Sequence, residues 1–462
     1  MTVKKGQLIE LKISELAFGG KGLARVDGFA VFVDQAVPFD VVNARIIKKK
    51  KNFAEARIVT LLESSPFRID PPCKYSGFCG GCKWQFLKYD KQLVYKRQHI
   101  VDSLERIALI KGVPVHPVIP STLIFGYRNK MEFSCSDRRW LLPSEMERED
   151  INRDFALGLH VPGIFNKVLD IQECLLLPEL GNHILYDGRN LMINSNVPAY
   201  GLRNHIGFWR FLMLRHSVSQ DKWMVNIITA SEDRDKVKPI ADFLIKKYSE
   251  IVSVINNITS RKAGVAVGEY EIVLAGAPSI KDKIGQFEFE ISANSFFQTN
   301  TLGAERLFEI VKKFAGLSGK ETVIDLYSGI GTITIWLSEF AKEVIGIEIV
   351  ESAVSDAKNN CKANRVSNCR FIPGNVNDCL QEVKIIPEVM IIDPPRAGMH
   401  KKVVKQVLEM CPERIVYVSC NPATMARDLC MMKDRYKIYE VQPIDMFPHT
   451  FHIESVARLE RK

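Results

Sequence analysis

From Ala304 onward the chain alternates helical and strand periodicities in the regular order that implies a parallel, doubly wound sheet. A helix is expected over Ala304–Phe314, a strand over Thr322–Leu326, a glycine turn, a helix over Ile333–Phe340 and a strand over Val344–Glu348. Two later apolar runs, Val389-Met390-Ile391-Ile392 and Val416-Tyr417-Val418, stop at Asp393-Pro394-Pro395-Arg396 and Ser419-Cys420-Asn421-Pro422. Ligands of open α/β sheets bind beyond the C-terminal strand ends. These two ends, with Asp325-Leu326-Tyr327-Ser328-Gly329-Ile330-Gly331-Thr332, are therefore where chemistry is expected.

At roughly 100–200 residues per domain, the 462 residues divide into about three units. Lys and Arg number 63 against 54 Asp and Glu, and the excess is concentrated early: Lys48-Lys49-Lys50-Lys51, then Lys83, Lys88, Lys91, Lys96 and Arg97. Such charge either meets phosphates or forms a solvated basic face. No apolar run approaches the ~18 residues of a membrane span. Met1-Thr2-Val3-Lys4-Lys5-Gly6 lacks the apolar stretch of a secretory signal. A cytoplasmic protein without a membrane partner is expected. Eleven cysteines in so long a chain read as thiols or metal ligands rather than a disulfide framework.

Residues 7–62 hold short alternating runs, Leu8–Ile13, Ala30–Val33 and Val41–Ile47, with glycines at 19, 20, 22 and 28. That spacing suits a small β-barrel of the oligonucleotide-binding type, ending at Ser64-Ser65-Pro66. The expected division is a barrel over 1–64, a central α+β unit over 65–290 and a Rossmann-like catalytic α/β domain over 291–462. A charged surface loop is expected over Pro143–Arg153.

Gly329 and Gly331 let a backbone approach a ligand closely, and Glu348, ending the next strand, can accept hydrogen bonds from ribose hydroxyls. A dinucleotide competes with S-adenosylmethionine for this pattern. Position 334 is Thr where the dinucleotide fingerprint has a third glycine, and Asp325 lies at the strand end. Both features favour a sulfonium ligand, which has no pyrophosphate to seat on a helix N-terminus.

Cys420 reads as a nucleophile placed at a strand end by Ser419, Asn421 and Pro422, against the alternative of a buried core thiol. Asp445 to Val456 brings His449, His452 and Glu454 into one polar–apolar alternation. There Glu454 is a candidate proton acceptor or an edge-strand carboxylate facing water. Cys73, Cys79 and Cys82, with glycines between them, form a loop able to wrap a soft metal centre, with Cys174, or alternatively Cys135, as fourth ligand. Four thiolates suit zinc or an iron–sulfur cluster. The single short Cys-x2-Cys pair favours the cluster.

Taken together, Asp325–Thr332, Asp393-Pro394-Pro395-Arg396-Ala397-Gly398, the run from Tyr417 through Cys420 to Leu429, and Asp445-Met446-Phe447-Pro448 followed by Glu454 resemble the RNA uracil-5-methyltransferases. These act on large-subunit ribosomal RNA or, in related branches, on transfer RNA, and the resemblance spans nearly the whole chain. It implies that the barrel is a TRAM module and that the central unit carries a [4Fe–4S] cluster on Cys73, Cys79, Cys82 and Cys174. It further implies that Cys420 is the nucleophile, Glu454 the base, and Asp393 a catalytic and cofactor-pocket residue. Tyr327, Thr332, Glu348 and Asn375 would line the S-adenosylmethionine pocket, and Gln298 would contact the cofactor or orient the uracil. The substrate implied is RNA, 23S ribosomal RNA favoured and transfer RNA the alternative, methylated by a monomer. Trp84, Phe86 and Tyr89 are candidate RNA contacts or core residues. Two rival readings remain: a redox or radical RNA-modifying enzyme that uses the cluster, and an RNA-binding protein without catalysis.

Overall fold

The computed structural model describes residues 3–462. The N-terminal unit is a six-stranded sheet in the order Leu8–Lys12, Val41–Lys49, Phe53–Glu63, Phe29–Asp34, Gly22–Val26, Glu15–Leu16. Its two ends belong to one bent stretch of chain: Leu8–Lys12 pairs with Val41–Arg45, and Glu15–Leu16 pairs with Gly22–Leu23. Between them, Ile13 exchanges backbone bonds with Phe39 and Asp40, and Ser14 N donates to Leu23 O. The sheet thereby closes and leaves few strand edges free. Its interior is filled by small residues, among them Ala24, Ala44, Ala54 and Ala56, with Val31, Val33 and Ile46.

The central unit is an eight-stranded mixed sheet built on Trp209–Ser217, Lys222–Thr229 and Ile251–Ile258, with helices Glu179–Asn194 and Arg234–Lys247 packed against it. A separate hairpin, Ser279–Ile284 with Phe287–Ser292, carries the chain onward. Its Phe287, Phe289 and Ile291 join the apolar core of the C-terminal unit. Position 290 lies inside its second strand.

The C-terminal sheet has the order Cys369–Pro373, Glu343–Glu348, Thr322–Leu326, Val389–Ile392, Arg414–Ser419, Glu454–Arg461, Tyr436–Ile444. All pairings among the first five strands are parallel, and Glu454–Arg461 runs antiparallel to both its neighbours. Two apolar clusters cover the two faces, which is why Val389–Ile392 is buried at every position. The helix expected at Ala304 begins at Thr301, because the Asn300 side chain accepts from Gly303 N, and it ends at Ala315 before Gly316 at φ +54°. The helix expected over Ile333–Phe340 is α-helical from Thr332 to Leu337 and 3-10 from Ser338 to Phe340.

The early basic cluster does not form one surface. Lys49, Lys50 and Lys51 are exposed, but Lys96, on the helix Tyr89–Ser103, is fully buried. Its Nζ donates to Asp445 Oδ1 at 2.7 Å and to Phe447 O at 3.0 Å. Removing one partner of such a pair strands the other charge, at a cost of about 3–5 kcal/mol. Ile100 on the same helix packs into the C-terminal unit, so an early segment braces the catalytic sheet. Trp84 and Phe86 are core residues, not exposed RNA contacts, and only Tyr89 is partly open. Among the described residues, no helix is long and apolar enough to cross a membrane.

Candidate active site

Thr322–Leu326 delivers Asp325 and Tyr327 to the rim of the sheet. Tyr327 adopts φ +66°, and its N–H and that of Ser328 both donate to Ile347 O. Such a conformation is costly for a non-glycine residue, and here the neighbouring strand fixes it. Gly331, itself at φ +83°, is required for a further reason: a Cβ there would lie 2.9 Å from Phe371 Cζ. A Cβ on Gly329 would meet no protein atom within 4 Å and would instead project into open space beside the strand end. A cavity at this point is lined by Gln298, Asp325, Tyr327, Gly329, Thr332 and Asp393.

Thr334 explains the missing glycine. Its hydroxyl donates to Asp325 Oδ2 at 2.6 Å, leaving Oδ1 buried on the cavity side without a partner. Burial pushes Asp325 up to about 7, despite the Thr334 hydrogen bond, and pushes Asp393 up to about 6. Glu348 accepts from Gly329 N at 3.0 Å and Val350 N at 2.8 Å, so it shapes the glycine turn from below. Asn375 is exposed and caps the helix Val376–Glu382 through Asn377 N. Neither Glu348 nor Asn375 is on the wall of this cavity.

Cys420 is the first of two residues between the strand Arg414–Ser419 and the helix Pro422–Met432, the second, Asn421, being the helix cap and Pro422 lying at its first turn. Asn421 Nδ2 and Thr424 Oγ1 donate to Arg396 O, tying this turn to the Asp393–Gly398 loop. On the other side Ser419 pairs with Ser455, so the next step outward sets Cys420 opposite Glu454. Glu454 is buried on an interior strand rather than on a solvent-facing edge. Burial, then the nearby Asp393, pushes its carboxyl up to about 8, while Arg396 pulls the other way. Burial, then Glu454, pushes the Cys420 thiol up to about 11, again opposed by Arg396. The result is a half-buried thiol and a buried carboxyl competing for one negative charge beside a single guanidinium.

The histidines do not share this alternation. Residues 445–453 form a loop. His449 sits at φ +65°, its ring stacks on Phe125 with centroids 4.3 Å apart, and its carbonyl accepts from Lys83 and Trp84 N–H. Burial pushes both His449 and His452 down to about 4, so both are neutral. Arg396 was legible only as part of its motif, and the buried Oδ1 of Asp325 had no signal in the sequence.

Cys73, Cys79, Cys82 and Cys174 line a second cavity of about 330 Å³, whose wall also includes Thr299, next in sequence to Gln298. Cys135 lies in the central core instead. Burial, reinforced by the neighbouring cysteines, pushes Cys79 and Cys82 up to about 12. Among the described residues, no group of three or more His, Cys, Asp or Glu forms a metal-ion site. The four expected ligands thus meet at one cavity, but the expected metal centre is not formed by them as such.

A TRAM domain matches residues 2–59, and the family described as tRNA (uracil-5-)-methyltransferase matches residues 234–462. An uncharacterized RNA methyltransferase of Chlorobaculum tepidum is 42% identical and aligns with 99% of this chain and 97% of its own. The chain belongs to the RNA uracil-5-methyltransferase family. An uncharacterized RNA methyltransferase of Bacteroides thetaiotaomicron is 40% identical across 96% of this chain and all of its own. Among solved structures, the Pyrococcus abyssi tRNA (uracil-54, C5)-methyltransferase in complex with S-adenosyl-L-homocysteine superposes with a TM-score of 0.75 at 28% identity. It covers 98% of this chain and 100% of its own. Within the RNA uracil-5-methyltransferases, then, the catalytic domain of this chain presents a strand-end cavity beside the Cys420–Glu454 pair.

Proposed function

We propose that this protein methylates carbon 5 of a uridine in RNA, with S-adenosylmethionine supplying the methyl group. The observation that carries the reading is the register that sets Cys420 opposite Glu454, next to a cavity walled by Gln298, Asp325 and Asp393. Carbon 5 of uracil is too weak a nucleophile to attack a methyl sulfonium unaided. Cys420 thiolate adds to carbon 6, forming a C–S bond and moving the ring electrons onto the oxygen of carbon 4. Carbon 5 then takes the methyl group, and the sulfonium leaves as a neutral thioether. Glu454 removes the proton from carbon 5, the ring double bond re-forms, and the thiolate departs. Arg396 stabilises the anionic forms of both residues. Gln298, Tyr327, Thr332 and Asp393 hold the cofactor from the cavity wall, while Glu348 and Asn375 complete its nucleoside side. The uridine must leave its stack to reach this crevice.

In this reading the barrel over 1–64 and the central unit over 65–290 grip RNA for the catalytic domain over 291–462. The favoured substrate is 23S ribosomal RNA, which the cysteine pattern supports by resemblance. Transfer RNA is the second reading, supported by the description of the matching family and by the Pyrococcus abyssi neighbour. The protein would act as a monomer in the cytoplasm, which suits eleven cysteines none of which is in a disulfide. The test supplies methyl-labelled S-adenosylmethionine with separate pools of unmodified ribosomal and transfer RNA, followed by nucleoside analysis. Labelled 5-methyluridine is expected in the ribosomal pool. Label only in transfer RNA transfers the assignment to that substrate, and label on another base overturns the reaction.

Cys73, Cys79, Cys82 and Cys174 are proposed to hold a [4Fe–4S] cluster. Four thiolates around one cavity suit such a cluster, and these four cysteines line one cavity. When bound, the cluster supplies a rigid cross-link, and uracil methylation requires no electron from it. Protein purified without oxygen is expected to contain about four iron atoms per chain, and Cys79→Ser to lose most of them. Stoichiometric zinc, or no metal, would sink the assignment.

A further inference from the structure

We infer that Asn129 is a positioning residue for the methyl-transfer site: it holds the segment 298–301 so that Gln298 forms part of the cofactor cavity wall. This rests on the reading of that cavity as the S-adenosylmethionine pocket. Asn129 lies just before the strand Lys130–Ser136 of the central sheet and is buried. Its backbone N–H, its carbonyl and its side-chain NH2 are all engaged, and the donors face one loop. Its N–H donates to Thr299 O at 3.0 Å, and its side-chain amide donates to Gln298 O and to Thr301 Oγ1, both at 2.8 Å. Its own carbonyl accepts from His216 N at 2.7 Å, which anchors it to the central sheet.

The orientation of the amide follows from its neighbours. Asp282 is buried and accepts the Thr301 hydroxyl proton at 2.9 Å. The Thr301 oxygen is therefore left as an acceptor, so the group facing it from Asn129 must be the NH2. The same NH2 then reaches Gln298 O. One step along the sheet, Arg215 pairs with Lys130 and donates to Ala293 O and Ser295 O, so the loop is bracketed at both ends. The loop is also a partition: Gln298 lines the strand-end cavity and Thr299 lines the cysteine cavity. Asn300 is held by its own side chain, which donates to Met446 O at 3.0 Å, whereas the backbone carbonyls of Gln298 and Thr299, at the two cavity walls, are held by Asn129.

Asn129→Asp keeps the shape but turns a donor into an acceptor facing two acceptors. Isothermal titration with S-adenosylhomocysteine is expected to show Kd weakened about tenfold, equal to about 1.4 kcal/mol. The KM for S-adenosylmethionine should rise more than kcat falls. Thr301→Val removes the acceptor from the other end of the relay and is expected to weaken Kd likewise, whereas Thr301→Ser keeps the hydroxyl and restores wild-type affinity. If Asn129→Asp does not fold cooperatively, the Thr301 pair decides the same question. Wild-type Kd in both Asn129→Asp and Thr301→Val, or weakened Kd equally in Thr301→Ser, overturns the proposal. Gln298→Ala separates the two levels. If it weakens Kd while Asn129→Asp and Thr301→Val do not, only the positioning role fails. If Gln298→Ala leaves Kd unchanged, the cofactor reading of Gln298 fails and the positioning role falls with it.

Discussion

Cys420→Ala is expected to lower methyl transfer by about four orders of magnitude or more, with RNA affinity and thermal stability close to wild type. The reaction needs carbon 5 made nucleophilic, and no other side chain beside Glu454 can form a bond to carbon 6 and leave again. Little stability is at stake, because Cys420 is only half-buried and lies in the turn between a strand and a capped helix, outside the apolar clusters on the two sheet faces. The measurement is single-turnover transfer of labelled methyl to substrate RNA, with RNA binding followed in parallel. A variant that binds RNA but retains more than a hundredth of the wild-type rate would remove Cys420 from the covalent role. RNA carrying 5-fluorouridine adds a positive control: fluorine cannot leave carbon 5 as a cation, so the wild type should be trapped covalently and Cys420→Ala should not.

The strands of the catalytic sheet were legible because each is a short apolar run buried on both faces, and Thr322–Leu326 and Val389–Ile392 fall where the sequence implies. The strand-end position of Cys420 was legible because Ser419, Asn421 and Pro422 argue against the strand continuing. Its pairing with Glu454 was not, because that depends on the antiparallel register of Ser419 with Ser455, which no local pattern encodes. Lys96 illustrates the converse error. Its charge suggested a surface, yet a partner 349 residues later makes it a buried ion pair. Trp84 behaves similarly, its Nε1 donating to Gly20 O across 64 residues of chain. His449 looked like part of a strand, but its positive φ and stacked ring place it in a turn that docks the cysteine loop. Asn129 acquires meaning only through Gln298, 169 residues away. Local periodicity thus carries the elements, whereas register and long-range polar pairing carry the site.

Glu454→Gln is expected to convert the enzyme from a catalyst into a trap. With carbon 6 bonded to Cys420 and carbon 5 already methylated, the thiolate can leave only when the carbon 5 proton has been taken. Glutamine fills the same volume but accepts no proton at accessible pH. Turnover should fall by about three orders of magnitude, within the range for loss of a general base. A methyl-labelled protein–RNA adduct should accumulate to about one per chain on a denaturing gel. Adduct formation should not be slowed, and the electrostatics argue that it is helped: the Glu454 charge is among the causes holding the Cys420 thiol up to about 11, second to burial. Removing that charge lowers the thiol pKa, so the pH midpoint for alkylation of Cys420 by iodoacetamide should move down in the variant. In the wild type, burial and Asp393 hold the Glu454 carboxyl up to about 8, so the base is mostly protonated at neutral pH. The turnover rate should therefore climb with pH through a limb near 8 and go on rising toward the ionisation of Cys420 at about 11, and the limb near 8 should disappear in Glu454→Gln. Undiminished turnover without an adduct would assign proton removal to another group. An unchanged alkylation midpoint would mean that the two side chains, although opposed across the register, do not share their charge.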